Sequence, residues 1–179
     1  MGFSGDLRAG LLLRFGADRT PADLWRRLCT YHAGVALAYT VRPTSWQMPL
    51  HYLVDDTLGN VWHFAEAFGN DGPAYLAAKE FRILRNSPVL LAGDAANTAK
   101  HSGRDPGKRA GGSYMLIIGQ SGRQSVALRW EPLDGDSTPP ERDALELIDD
   151  CLTAWWQFMA DHELTDESMS PPIRRAPGA

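Results

Sequence analysis

The segment Asp94-Ala95-Ala96-Asn97-Thr98-Ala99-Lys100-His101 brings an acid, an amide, an amine and an imidazole into eight residues. Read as a helix, it places Asp94, Asn97, His101 and Arg104 at i, i+3, i+7 and i+10, along one stripe. On such a stripe a carboxylate can orient a histidine that moves a proton. The candidate catalytic set is therefore His101 as general acid or base, with Asn97, Lys100 and Asp94 around it. The same residue types also suit a structural role. Asp94 and Asn97 can bond neighbouring backbone. Lys100, His101 and Arg104 put positive charge at a helix C-terminus, where it offsets the macrodipole.

Residues 102–112 follow as a loop, with Arg104, Lys108 and Arg109 set among glycines. Guanidinium groups and backbone amides in such a loop can hold a phosphate. It is not a P-loop: Ser102 stands where the first Gly belongs, Arg109 replaces the Ser or Thr after Gly107-Lys108, and no strand precedes it. The competing reading is a solvated connector. Elsewhere, His51 and Asp55 stand at i, i+4 on a second helical pattern, with His63 further along. Such residues can join a metal site inside a bundle, but the sequence has no His-Glu-x-x-His or Glu-x-x-His run. No metal and no cofactor is expected. Cys29 and Cys151 sit in separate helical patterns among apolar neighbours, without a Cys-x-x-Cys, and read as buried free thiols. His32 reads as a satisfied helix histidine.

The run Asp-x-Ala-Asn-x-x-Lys-His, followed by a β-hairpin and a Trp-containing last helix, resembles a group of uncharacterised bacterial proteins of similar length, over roughly residues 46–160. Asn97 and His101 also resemble the Asn and His of the HEPN superfamily motif, in which an Arg precedes them; Ala96 stands at the Arg position. HEPN domains are helical bundles, usually dimeric, and many are metal-independent ribonucleases of toxin or antiviral systems. That resemblance implies an RNA-directed protein. His101 would act on the ribose 2′-OH or leaving oxygen, Asn97 would position the phosphate, and Lys100 or Arg104 would supply the missing cation.

The elements that must position these groups follow from periodicity and end signals. The chain has 179 residues and a net charge of −4. That length fits one domain, and the charge argues against coating nucleic acid or anionic membrane through overall attraction. No run approaches the ~18 apolar residues of a membrane span, and Leu11 to Leu13 is too short for a signal-peptide core. A cytoplasmic location is the default expectation.

Residues 1–19 read as an irregular arm. Thr20-Pro21 opens a first helix that should stop near Val41, because Pro43 cannot continue it. A second helix should start near Pro49 and end at Gly69-Asn70-Asp71-Gly72; a third should span about Pro73 to Arg85. Ser87-Pro88 opens a fourth, expected over 88–102. Tyr114 to Ile118 and Ser125 to Trp130 are β-rich runs joined through Ser121-Gly122, a hairpin over about 114–130 whose Val126, Leu128 and Trp130 should face the bundle or a second protomer.

Thr138-Pro139-Pro140-Glu141 reads as the start of the last helix. Leu145, Ile148, Leu152, Trp155 and Met159 form its apolar stripe, and one member of Trp155-Trp156 should be left exposed. Residues 166–179 read as a disordered tail. The expected fold class is α+β, mainly α: a single helical domain over 20–165, with an inserted β-hairpin and a long C-terminal helix. Two functions from different classes follow: a HEPN-like, RNA-directed protein, or a non-enzymatic protein-interaction module that uses the hairpin and the tryptophans to bind a partner or itself. RNA, a second copy of the chain or another protein are the expected partners.

Overall fold

The computed structural model describes residues 20–41, 49–85, 87–101, 111–119, 122–131 and 141–173. Helix α1 (Pro21–Thr40) starts where the sequence places it. The Thr20 hydroxyl accepts from the Asp23 N–H at 3.1 Å, and the Asp23 carboxylate accepts from the Thr20 N–H at 3.4 Å. That reciprocal box, with Pro21 at the first turn, satisfies donors a helix N-terminus leaves open. Helix α2 (Leu50–His63) tightens into a 3₁₀ turn (Phe64–Phe68). Gly69, at φ +99°, closes that turn in a backbone conformation L side chains avoid. Helix α3 (Pro73–Arg82) ends three residues before the expected Arg85. Helix α4 (Pro88–His101) begins under a cap from Ser87, whose hydroxyl accepts from the Leu90 N–H at 3.0 Å.

Strands β1 (Gly111–Ile118) and β2 (Gln124–Glu131) form the expected hairpin, each longer than its apolar run. A third strand, β3 (Glu141–Asp143), joins the far side of β2, giving an antiparallel sheet in the order β1-β2-β3. This third strand changes the last helix. Helix α5 (Ala144–Asp161) starts at Asp143, not at Thr138. The Asp143 carboxylate accepts from the N–H groups of Leu145 at 2.8 Å and Glu146 at 3.2 Å. Glu141 and Arg142 are spent instead on rungs opposite Arg129 and Leu128. The open side of β2 takes residues 141–143 as a strand, and the helix begins after them.

Helix α5 is the spine of the core. Leu145, Ile148, Leu152, Trp155 and Met159 are all buried. Trp155 meets Phe64, Phe81 and Phe158 at ring distances of 5.3, 4.9 and 5.5 Å. Buried indole N–H groups need acceptors: Trp155 donates to the Val61 carbonyl at 3.0 Å and Trp130 to the Leu91 carbonyl at 3.3 Å. Trp156 is only half-buried, its ring tilted against that of Trp25 at a centroid distance of 5.6 Å. Val126, Leu128 and Trp130 are buried, so the hairpin docks by the predicted residues. No helix among the described residues is long and apolar enough to cross a membrane. The segment after α5 turns back onto α1: Met169 is buried, and the Ser170 carbonyl accepts from the Trp25 indole at 2.9 Å. Residues 166–173 were expected within the tail; residues 1–19 and 174–179 lie outside the described residues.

Candidate functional site

Helix α4 runs unbroken to His101, so Asp94, Asn97 and His101 keep the i, i+3, i+7 spacing that places them on one face. The helix is hemmed in by α2, α5 and β1. Asp94 lies inside that packing at 5% exposure, while Asn97, one turn later, is half-buried. The stripe therefore leaves the core toward the helix C-terminus. Asp94 is placed as a buried carboxylate within the packing of the helix. The side chains of Lys100 and His101, and all of Arg104, Lys108 and Arg109, lie outside the described residues.

The metal-binding residue types are engaged elsewhere. Asp55 accepts from the Tyr114 hydroxyl at 2.8 Å, His63 Nδ1 lies 2.8 Å from Glu66 Oε1, and the His51 ring packs 4.2 Å from that of Tyr52. Among the described residues no group of three His, Cys, Asp or Glu could hold a metal ion.

A groove of about 680 Å³ lies between α1 and residues 168–173, lined largely by apolar side chains such as Trp25, Ala36, Leu37 and Ile173. Cys29 and His32 also line it, and His32 Nε2 stands 2.5 Å from Asp149 Oδ1. A thiol, an imidazole and a carboxylate are the residue types of a nucleophilic set. The thiol is shifted the wrong way for that role: burial pushes Cys29 up, more than its backbone hydrogen bond lowers it. A protonated thiol is a poor nucleophile. Two other polar lining residues, Thr30 and Arg26, have partners within α1. The Thr30 hydroxyl donates to the Arg26 carbonyl at 2.9 Å, and the Arg26 guanidinium lies 3.3 Å from Asp23.

The third place is the sheet edge. In an antiparallel pair, hydrogen-bonded and non-hydrogen-bonded residues alternate. The Gly119 N–H donates to the Arg123 carbonyl at 2.9 Å, one rung beyond Ile118↔Gln124. Counting back, Ile117, Met115 and Ser113 bond to β2, and Ile118, Leu116, Tyr114 and Gly112 turn their N–H and C=O groups away from it. The same alternation holds on the far side of β2. There Val126 points its N–H and C=O away from β1 and meets the Tyr39 hydroxyl, which accepts from that N–H at 3.0 Å and donates to that C=O at 3.2 Å. The Tyr39 phenol fills the rung beyond the end of β3. Burial, the largest influence, pushes Tyr39 ionisation well up, so the phenol stays a donor.

No such plug stands on β1 among the described residues, where it is the end strand of the sheet. Met115, Leu116, Ile117 and Ile118 are exposed by 44, 41, 41 and 65%. These four are apolar on both faces of the strand, and β1 contains no charged residue or proline from Gly111 to Ile118. Charge and proline are the usual guards of an exposed edge. Tyr114 anchors the strand to α2 through its bond to Asp55, which holds the edge in place. The sequence points to the hairpin as a contact surface but does not single out this edge. The signal was there in four consecutive apolar residues without alternation, the pattern of a strand covered on both faces.

No protein-family model, curated protein or solved structure matches the chain. The HEPN resemblance therefore rests on Asn97 and His101 alone.

Proposed function

We propose that this chain is a protein-interaction module that takes up an extended segment of a partner along the edge of β1. One observation carries the reading: β1 presents outward N–H and C=O groups at Gly112, Tyr114, Leu116 and Ile118, flanked by four exposed apolar side chains. Backbone rungs supply affinity in strand addition, and side chains on the two faces supply selectivity. The test is selection of extended peptides from a displayed library on the full chain. Bound peptides should shift the amide resonances of Gly112, Tyr114, Leu116 and Ile118 more than those of Ser113, Met115 and Ile117. Binders that leave the even-numbered amides unmoved would refute strand addition.

A second reading is an RNA-directed role for the end of α4. Its support is the unbroken run of that helix to His101, which keeps Asn97 and His101 one turn apart on one face. It would use His101 and Asn97, with Lys100, Arg104, Lys108 and Arg109 as phosphate partners. Single-stranded RNA that is neither bound nor cut by the wild type and by Ala96→Arg would dispose of it.

A further inference from the structure

We propose that the segment taken up by β1 is β1 of a second copy of this chain, run antiparallel about a two-fold axis so that two three-stranded sheets become one. The inference rests on the strand-addition reading and names its partner.

The edge constrains its occupant in three ways. The occupant must be extended, to meet outward groups spaced two residues apart. It must be apolar on both faces, because Met115 and Ile117 are exposed on one face and Leu116 and Ile118 on the other. It must bring no charge into the centre of the pairing, since β1 has none to offer in return. Among the described strands only β1 meets all three conditions. Strand β2 buries Val126, Ala127 and Leu128 within its own fold, and β3 is the charged tripeptide Glu141-Arg142-Asp143.

A two-fold axis normal to the sheet makes the two edge strands antiparallel and sets the same edge of each copy against the other, the geometry of an isologous dimer. Centring the axis on Leu116 sets Leu116 against its own copy, Ile117 against Met115, and Ile118 against Tyr114. The first two pairs are apolar, and the third sets Ile118 against the Tyr114 ring, whose hydroxyl is already bonded to Asp55. The paired even residues are those whose N–H and C=O groups point outward, so the register satisfies hydrogen bonding and side-chain matching together. The surface at stake is modest. The four side chains expose about as much as two whole apolar residues per copy. That lies below the size of a standard stable interface, which makes the expected dimer a weak one.

Position 116 also supplies a clean perturbation. Its N–H points away from β2, so Leu116→Pro removes an edge donor without removing a rung of the hairpin. Leu116→Lys guards the edge by charge and leaves the backbone intact, should the proline variant fail to fold. The experiment is sedimentation equilibrium of the full chain from low to several hundred micromolar, alongside hydrogen exchange at the same concentrations. Wild type should dimerise, and the Leu116 amide should gain protection as concentration rises. Leu116→Pro or Leu116→Lys should weaken the dimer by about tenfold or more, and Leu76→Lys, an exposed residue of α3, should not.

A monomer at every concentration overturns the inference. So does a dimer unchanged by both Leu116 variants. Protection of the Leu116 amide that is independent of concentration overturns it as well, because a segment of the same chain then fills the edge. A monomer whose edge amides still respond to selected peptides removes the second copy and leaves strand addition standing. A dimer indifferent to Leu116, with no peptide response, removes both.

Discussion

Replacing Gly93 by alanine should destabilise the protein, although helix propensity taken alone gives the opposite sign. Gly93 lies inside α4, where alanine would gain about 1 kcal/mol over glycine. A Cβ at this position would stand 2.2 Å from Trp62 Cε3, 2.6 Å from Cδ2 and 2.7 Å from Cζ3. Carbon atoms in contact prefer ~3.5–4.0 Å, so the ring or the helix would have to retreat by more than an ångström. The ring has little freedom to do so: Trp62 is 6% exposed, and the Arg82 guanidinium lies 4.6 Å from its ring centroid. Overpacking typically costs about 1–3 kcal/mol, and occasionally more. This contact belongs at the upper end, so after the propensity gain a net loss of about 2 kcal/mol is expected. With a urea m-value of ~2 kcal/mol/M, the midpoint should fall by about 1 M at constant m. A double-mutant cycle locates the cause. In a Trp62→Leu background the clash is relieved, and Gly93→Ala should become neutral or stabilising by up to ~1 kcal/mol. A single Gly93→Ala variant as stable as wild type, or the same loss in both backgrounds, would show that the approach of α4 to Trp62 is not as described.

Three further outcomes test the sheet and the spine. Tyr39→Phe should cost about 1–3 kcal/mol in denaturant titration, because the Val126 N–H and C=O both lose the phenol that completes their rung; a loss no larger than that of an exposed Tyr→Phe change would mean that water replaces it freely. Asp143→Asn bears on pH. Burial holds the Asp143 carboxyl above its usual 3.8, against the lowering effects of the Glu146 and Leu145 N–H groups and the Tyr39 hydroxyl. The folded state then binds more protons than the unfolded state just above pH 3.8, so this residue's contribution falls as pH rises through its folded pKa. Asparagine caps as well as aspartate, so the variant should keep the cap and lose that slope; a melting profile against pH that matches wild type contradicts the assignment. Leu152→Ala, at a site with no exposure, should destabilise by about 2–5 kcal/mol, and an unchanged midpoint would mean that α5 faces another way.

Sequence alone determined the helices and the faces they bury. Thr20-Pro21 and Ser87-Pro88 announced two starts, because capping side chains and an N-terminal proline act within one turn. The stripe of Leu145, Ile148, Leu152, Trp155 and Met159 announced the buried side of the last helix, because periodicity is a property of the chain itself. The alternation of Val126, Leu128 and Trp130 likewise gave the docked face of the hairpin. The spacing of Asp94, Asn97 and His101 was legible too, but their depth was not. Only the packing of α2 and α5 around α4 sets Asp94 in the core and Asn97 at its margin. The start of α5 was likewise decided in three dimensions. Residues 141–143 can enter a strand or a helix; the open side of β2 takes them as β3, and Asp143 caps the helix that follows. The edge of β1 is the clearest case. Met115 to Ile118 read as a strand in any context, but whether a strand is central or terminal depends on what lies beside it, and hydrogen-bonding neighbours in a sheet are not neighbours along the chain.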